Sequence, residues 1–482
     1  MQLQELLARV VPLSVQGPTD RPIRQVTQDS RAAGKEDVFV AIEGRSVDGH
    51  LYVPALECAA VVVEQDVHPQ PGVTCIRVPD SRVALAQMAA AEVGDPSDQL
   101  ALIGVTGTNG KTTTCWILEA ILETAGRPVG IIGTTGNRVR GREVPAEFTT
   151  PLPRQWQGLL RDMVDAGCEV VAAEVSSIGL EARRVDATRF SVGVFTHLGR
   201  DHLDYHGDMQ RYVEAKARLF SDLVVPGGEA VLPAVDPSGG SVLGACGRLS
   251  VRTFGLEGGD VTVRDSELGP GGTRAMLVAD GEAAAFELSL IGRHNLLNAL
   301  AAAGAALAIG LDVETVAQGL SRVPVVPGRL EPVEGQGVTV FVDYAHTPDA
   351  LEAVLEALRD LAPARVGVVF GCGGDRDRGK RPEMAVAASK GADWVVATTD
   401  NPRSEDPVSI LKDVEPGLSP GARIEVDRKQ AIRAAVLEMA QDGDLILIAG
   451  KGHEQYQEIA GERVAFDDRV VAAEALGERG CR

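Results

Sequence analysis

Val105-Thr-Gly-Thr-Asn-Gly-Lys-Thr-Thr-Thr114 follows the apolar run Leu100-Ala-Leu-Ile103 and precedes the amphipathic run Trp116-Ile-Leu-Glu-Ala-Ile-Leu122. The order is a strand, a Gly-rich turn and a helix start. Such a turn gathers backbone N–H groups into one concavity at a helix N-terminus, where the dipole also favours an anion. Lys111 adds a cation, and Thr112 offers a hydroxyl to Mg2+. The turn reads as a site for the phosphates of ATP. Val105 stands where the full Walker spacing has its first glycine, so Gly107 and Gly110 form a shorter variant.

Outward from this turn the chain alternates apolar runs and helical runs. Val129-Gly-Ile-Ile132, Val170-Val-Ala-Ala-Glu174 and Val192-Gly-Val-Phe-Thr196 are strand candidates, and an Ala-rich helix follows Asn295. Near-continuous apolar strands separated by helices predict a parallel α/β sheet. Gly94-Asp-Pro-Ser-Asp98 and Val323-Pro-Val-Val-Pro-Gly328 read as linkers. They divide the chain into an α/β N-terminal domain over 1–97, a central P-loop domain with a parallel sheet over 98–327, and a doubly wound α/β domain over 328–482. In the last of these, Thr339-Val-Phe-Val342, Val366-Gly-Val-Val-Phe370, Trp394-Val-Val-Ala397 and Leu445-Ile-Leu-Ile448 read as strands whose following turns are site loops.

A length of 482 residues is too great for one core. The formal net charge of -21 argues against nucleic acid or an anionic membrane as partner. An anionic substrate then needs locally basic pockets. The seven cysteines are scattered with no C-x-x-C pair, which is the usage of a reducing compartment. No apolar run is long enough to span a bilayer, and the N-terminus does not read as a signal peptide. These features predict a cytoplasmic protein.

Two runs in the central domain follow strands in the same way. Glu174-Val-Ser-Ser177 puts a carboxylate at a strand end. Thr196-His-Leu-Gly-Arg-Asp-His-Leu-Asp-Tyr-His-Gly207 gathers His and Asp side chains. Oxygen ligands with a few imidazoles suit Mg2+ or Mn2+ bridging phosphates. The segment alone leaves two readings open, metal ligation or a hydrogen-bonded loop. In the last domain, Gly371-Cys-Gly-Gly-Asp-Arg-Asp-Arg-Gly-Lys-Arg381 concentrates four cations, and Asp400-Asn-Pro-Arg403 and Gly450-Lys-Gly-His-Glu454 follow other strands. Arg376, Arg403 and Lys451 with Glu454 then predict a pocket for a small zwitterion bearing carboxylates.

Taken with Asp29-Ser-Arg31, Asp48-Gly49, Thr149-Thr-Pro151, Gly292-Arg-His-Asn-Leu-Leu-Asn298 and Asp343-Tyr-Ala-His-Thr-Pro348, these motifs make the whole chain resemble the Mur ligases. Within that family it is most similar to the ligases that add the third amino acid to UDP-N-acetylmuramoyl-L-alanyl-D-glutamate. The resemblance implies a uridine-binding first domain and an acyl-phosphate route. It also implies closure of the last domain over the central one, with a hinge near Pro327.

The resemblance assigns roles residue by residue. Gly107, Thr108, Asn109, Gly110, Lys111, Thr112 and Thr113 would hold the ATP phosphates, with Asn295 and Arg329 contacting the nucleotide from the domain junction. Thr112, Glu174 and His202 would serve Mg2+, together with Lys216, carbamylated to an anionic ligand; Lys111, Glu174, His202 and Lys216 form the catalytic set. Ser30, Arg45, Ser46, Val47, Thr149, Thr150, Ser176 and Arg184 would bind the UDP-sugar peptide. Arg376, Asp400, Asn401, Pro402, Arg403, Gly450 and Glu454 would bind the incoming diamino acid. The chain departs from the family pattern at Ile178, Ala182 and His197. Arg403 offers a planar fork for a second carboxylate, which points to meso-2,6-diaminopimelate over L-lysine or L-ornithine; the alternative is that Arg403 braces its loop against Glu405 or Asp406. A folylpolyglutamate-synthase-like ligase and a nucleotide switch without turnover are the rival readings. The expected protein is a monomer that neither enters a membrane nor binds nucleic acid.

Overall fold

The computed structural model describes residues 1–44, 47–235, 237–238, 240–269, 271–335 and 337–481. Three α/β domains follow one another, each with its own sheet.

The first sheet contains β1 (Ser14–Gln16), β2 (Gln25–Thr27), β3 (Asp37–Val40), β4 (Ala60–Val63) and β5 (Thr74–Arg77) in the order β1-β5-β4-β3-β2. The strands from β2 to β5 run parallel, and β1 lies antiparallel at one edge. Every residue of β3 and β4 is buried, which explains the apolar runs Val38-Phe-Val40 and Ala60-Val-Val-Val63. The helix Ser81–Glu92 covers the sheet and is capped by Asp80, whose carboxylate accepts from the N–H groups of Arg82 and Val83.

The central sheet contains β6 (Ala101–Thr106), β7 (Val129–Ile132), β8 (Asn137–Val139), β9 (Arg142–Val144), β10 (Val170–Glu174), β11 (Phe190–Phe195), β12 (Val224–Pro233), β13 (Ser250–Phe254), β14 (Val261–Gly269), β15 (Gly272–Ala279) and β16 (Glu282–Leu288). Their order is β16-β15-β14-β13-β12-β11-β6-β10-β7-β8-β9. The middle of the sheet is parallel, as the apolar runs predict. Both edges differ from that expectation. β14, β15 and β16 form an antiparallel meander, and β7, β8 and β9 form another. In β16 inward and outward residues alternate, the pattern of a strand covered on one face only. The helix Lys111–Thr124 packs against the Ala-rich helix Arg293–Ala308 in the same core as Val105, Val194 and Leu277. Alanines let these two helices approach each other and the sheet closely.

The third sheet contains β17 (Glu331–Val333), β18 (Thr339–Asp343), β19 (Val366–Cys372), β20 (Trp394–Thr399), β21 (Arg423–Ile424) and β22 (Leu445–Ala449) in the order β17-β18-β22-β19-β20-β21. All pairs are parallel except β17–β18. Separate apolar clusters cover its two faces, so it is doubly wound. A hairpin of β23 (Tyr456–Ile459) and β24 (Glu462–Ala465) follows. It is tied to the loop after β20, with Arg403 N–H donating to the Glu458 carbonyl at 2.9 Å and Ala460 N–H to the Arg403 carbonyl at 2.7 Å. Among the described residues, no helix is long and apolar enough to cross a membrane.

Candidate functional site

The carboxyl ends of β6, β10 and β11 face those of β18, β19, β20 and β22 across a cavity of about 890 Å³. Ligands of open parallel sheets bind at such strand ends. Here two sheets contribute to one cavity.

At the phosphate end, Thr108, Asn109, Gly110, Lys111, Thr112 and Thr113 line the wall. Gly107 lies behind it, at φ 148°, where an added Cβ would run into the Thr196 hydroxyl. The loop is pinned from the neighbouring strand: Thr108 N–H donates to the His197 carbonyl at 2.7 Å, and the Thr196 hydroxyl donates to the Asn109 carbonyl at 2.6 Å. Lys111 Nζ donates to the carbonyls of Gly107 and Thr108, each at 2.9 Å, and Lys216 Nζ reaches the same Gly107 carbonyl at 2.8 Å. Burial lowers the pKa of Lys111. Burial, and then the neighbouring Lys111, push that of Lys216 well below the usual lysine range. Two ammonium groups on one carbonyl repel each other, so the geometry favours a neutral amine at Lys216.

Glu174 is held ready at its strand end. It accepts from Thr112 Oγ1 at 3.0 Å, from Thr134 N–H at 2.8 Å and from Thr134 Oγ1 at 3.0 Å. His202 takes the left-handed conformation, φ 55°, and burial lowers its pKa to about 3, leaving a neutral imidazole. The Thr112 hydroxyl, the Glu174 carboxylate and this imidazole are a donor set that fits Mg2+ completed by phosphate oxygens.

The His and Asp run 196–207 is divided among tasks. His206 Nε2 lies 3.0 Å from Ser177 Oγ. Asp201 is a buried junction: Lys380 Nζ lies 3.2 Å away, and the Nε2 atoms of His202 and His346 lie 3.4 Å away. Burial alone would raise its carboxyl, but Lys380 and the two imidazoles hold it well below the usual range. Lys380 and His346 belong to the last domain, so this cluster joins the two sheets. Arg200 adds pairs with Asp377 at 3.1 Å and Glu383 at 2.7 Å, and Asn109 Nδ2 donates to Thr347 Oγ1 at 3.3 Å. Arg329 donates to Thr112 Oγ1 at 3.2 Å and lies over the Tyr344 ring. Asn295 lines the same wall and is fixed by the Ile291 carbonyl at 2.8 Å.

Toward the first domain the cavity is lined by Thr149, Thr150, Ser176 and Arg184. Thr150 Oγ1 donates to the Glu174 carbonyl at 2.9 Å and accepts from Ser176 N–H at 3.0 Å. Arg184 donates to the Thr150 carbonyl at 2.9 Å and stacks on Phe148. A second cavity, about 750 Å³, lies between the first and central domains, lined by Glu43, Gly44, Arg82, Ala182, Arg211 and Arg218 among others. Ser30 and Val47 line neither cavity. Arg45 and Ser46 lie outside the described residues.

At the amino-acid end, Arg376, Asp400, Asn401, Arg403, Gly450 and Glu454 line the cavity, and Pro402 does not. A Cβ at Gly450 would come within 2.6 Å of Asp400 Oδ2, so glycine is what lets that carboxylate approach the turn. The expectation that Lys451 faces a ligand is corrected. It is fully buried, 3.0 Å from Asn401 Oδ1 and 3.1 Å from Glu454 Oε2. The four-cation run after β19 also divides. Arg376 and Lys380 line the cavity, whereas Arg378 pairs with Asp413 and the buried Arg381 with Glu405 and Asp413. Glu405 is therefore engaged by Arg381. Arg403 instead donates to the Gly374 carbonyl at 2.7 Å, with Glu458 3.7 Å away. Sequence reasoning missed Tyr456 and Arg463, which stack at 4.5 Å and line this end from the hairpin. Their only signal was proximity to Glu454.

Residues 105–306 match the family model of the Mur ligase middle domain, and 328–452 that of the Mur ligase glutamate ligase domain. The chain is 42% identical to the UDP-N-acetylmuramoyl-L-alanyl-D-glutamate--2,6-diaminopimelate ligase of Geobacter sulfurreducens, over 99% of each chain. It is 45% identical to the protein of the same name from Geobacillus thermodenitrificans, over 99% of this chain and 100% of that one. A solved structure bearing that enzyme name superposes with a TM-score of 0.69 at 32% identity, covering 100% of this chain and 99% of the other.

Proposed function

This chain belongs to the Mur ligase family, and on that premise we propose that it is the ATP-dependent ligase that joins meso-2,6-diaminopimelate to UDP-N-acetylmuramoyl-L-alanyl-D-glutamate, a step in peptidoglycan precursor synthesis. The observation that carries the reading is the single cavity with a phosphate loop at one end and Asp400, Asn401, Arg403 and Glu454 at the other. Both walls come from one chain, so the cavity needs no residue of a second copy.

In this reading a carboxylate of the D-glutamyl residue attacks the γ-phosphate of ATP, giving an acyl phosphate and ADP. The amine of the diamino acid then adds to the acyl carbon, and phosphate leaves from the tetrahedral intermediate. Lys111 lies where negative charge builds on the transferring phosphoryl group, and the loop N–H groups are fixed in advance. Thr112, Glu174 and His202 would hold Mg2+, which when bound would supply charge neutralisation at the phosphate oxygens. Arg329 and Asn295 reach the nucleotide from the junction. Lys216 is proposed to add its neutral amine to CO2 with loss of a proton, forming a carbamate. The support is its burial and its convergence with Lys111 on one carbonyl. Thr149, Thr150, Ser176 and Arg184 would hold the peptide end of the UDP-substrate, with Ser30, Arg45, Ser46 and Val47 proposed to bind its remainder. The pairs of Arg200 and Asp201 with the last domain would keep water from the acyl phosphate.

At the far end Arg403 would pair with the distal carboxylate and Glu454 with the distal ammonium, while Arg376, Asp400, Asn401, Pro402 and Gly450 frame the substrate. L-Lysine and L-ornithine lack that carboxylate. The test is phosphate release by the purified protein with ATP and Mg2+. Release that requires both the UDP-dipeptide and the diamino acid, with the UDP-tripeptide seen by mass, is the expected result. Release without either acceptor, or no ligated product, would reject the reading.

A further inference from the structure

Lys451, like Arg381, spends its charge inside the protein, but it does so against Asn401 and Glu454, which line the cavity. Its ammonium donates to Asn401 Oδ1 at 3.0 Å and Glu454 Oε2 at 3.1 Å and lies 3.8 Å from Asp400 Oδ1. Asn401 Nδ2 closes the triangle by donating to Glu454 Oε2 at 2.8 Å. Asn401 Oδ1 also accepts from Glu458 N–H at 3.0 Å, which ties the same amide to the hairpin. Glu454 Oε2 is thereby used on the protein side, and Oε1 is the oxygen left for a ligand. Arg428, the other buried cation beneath this floor, is already paired with Asp468 at 2.7 Å. Lys451 is thus the cation set directly against Asp400 and Glu454.

We propose that Lys451 is a positioning residue that sets the selectivity of the amino-acid site, by orienting Glu454 and Asn401 and by cancelling one of the two carboxylate charges in the floor. The inference rests on the proposed diaminopimelate reading and deepens it. With Lys451 present, the floor holds two carboxylates against one ammonium, a balance suited to one distal ammonium flanked by a carboxylate. Without it, the floor carries an uncompensated negative charge at close range. That charge repels a substrate with two carboxylates and favours a more cationic one. Diaminopimelate has two carboxylates and two ammonium groups, whereas L-lysine has one carboxylate and two ammonium groups. The loss of Lys451 therefore weakens the first relative to the second. A solely structural lysine would lower stability and activity toward both alike.

The test is steady-state kinetics of full-length Lys451→Met, which keeps the length of the apolar stem, with meso-diaminopimelate and L-lysine. The expected result is a KM for diaminopimelate raised about tenfold or more, KM values for ATP and UDP-dipeptide within about twofold of wild type, and a preference for diaminopimelate over lysine reduced by about tenfold. The double variant Lys451→Met/Glu454→Gln removes one charge of each sign and remains informative if the single variant does not fold. Acting through Glu454 predicts that it loses no more activity than Glu454→Gln alone. An unchanged KM and preference in Lys451→Met, or strictly additive losses in the double variant, would overturn the inference while leaving the ligase reading in place. A wild type that ligates no diaminopimelate would remove both.

Discussion

The two ends of the cavity hold their buried cations in opposite ways. At the phosphate end, the Lys111 ammonium is held by the Gly107 and Thr108 carbonyls, and the neutral Lys216 amine shares the first of them. At the amino-acid end, Lys451 and Arg381 are held by carboxylates, with Lys451 on Glu454 and Arg381 on Glu405 and Asp413. A carbonyl dipole satisfies an ammonium without cancelling its charge, so the phosphate end keeps positive potential for an arriving anion. A carboxylate cancels the charge, so the lower cations of that end become scaffolding, and the proposed recognition falls to Arg403, Arg376 and Glu454, which line the cavity. Removing a cation at the first end should cost catalysis. Removing one at the second should cost stability or selectivity.

The largest effect is expected for Lys111→Ala. Turnover should fall by on the order of hundreds-fold or more, because its charge acts on the transferring phosphoryl group. UDP-dipeptide binding by calorimetry should be retained, and the unfolding free energy should move by less than about 1 kcal/mol, since the two carbonyl bonds lost are offset by relief of burial. A variant that kept a tenth of wild-type turnover would break the comparison at its stronger end. Lys216→Ala should lose on the order of a hundredfold in turnover and recover part of it with added short carboxylates. Intact mass measurement of CO2-equilibrated wild type should show the carbamate, and an unmodified lysine in fully active enzyme would contradict that role.

At the other end the order of effects reverses. Arg381→Met should leave Glu405 and Asp413 without their buried partner and destabilise the protein by about 3 kcal/mol in urea unfolding. The KM for ATP should not change. A variant as stable as wild type would show that these carboxylates do not depend on the buried guanidinium.

The smallest effect is pH dependence. Burial lowers the pKa of His294 and of His453 to about 4 and that of His202 to about 3. Each is neutral in the folded chain and protonated in the unfolded chain between those values and the ordinary value near 6.5. The unfolded state then binds more protons, so stability is complete above about pH 6.5 and is lost as pH falls toward 4. For His294 and His453 the loss from about pH 7 to about pH 5 should be roughly 1 kcal/mol each, discounted for water at the cavity wall. His294→Asn should flatten that slope in paired unfolding curves, and an unchanged slope would assign the acid sensitivity elsewhere.

The phosphate end was legible in the sequence because its chemistry is local. Gly107 to Thr113 form one continuous turn between a strand and a helix, and strand alternation with helices predicts the parallel centre of the sheet. The antiparallel edges were not visible, since Val261–Gly269 and Gly272–Ala279 are separated by a turn that reads like any other loop. At the amino-acid end the sequence located the loops but not which cation faces inward. Lys451 and Arg403 look alike as charges in polar turns. Only the register that brings Asn401 and Glu454 to Lys451, and the Gly374 carbonyl to Arg403, separates a spent charge from an available one. The Asp201 junction was likewise unreadable, because Lys380 and His346 lie far along the chain from Asp201 and meet it only across the domain interface.

The central claim is that the chain ligates a diamino acid whose second carboxylate is read by Arg403. The most direct measurement is kcat/KM for meso-diaminopimelate, L-lysine and L-ornithine, in wild type and in Arg403→Ala. Without a second carboxylate Arg403 keeps only the Gly374 carbonyl and the more distant Glu458, a loss of roughly 1.5–3 kcal/mol, so wild type should prefer diaminopimelate by about 10- to 150-fold. Arg403→Ala should lose most of that preference while still ligating. A wild type that prefers lysine or ornithine, or an Arg403→Ala variant with its preference intact, would contradict the account.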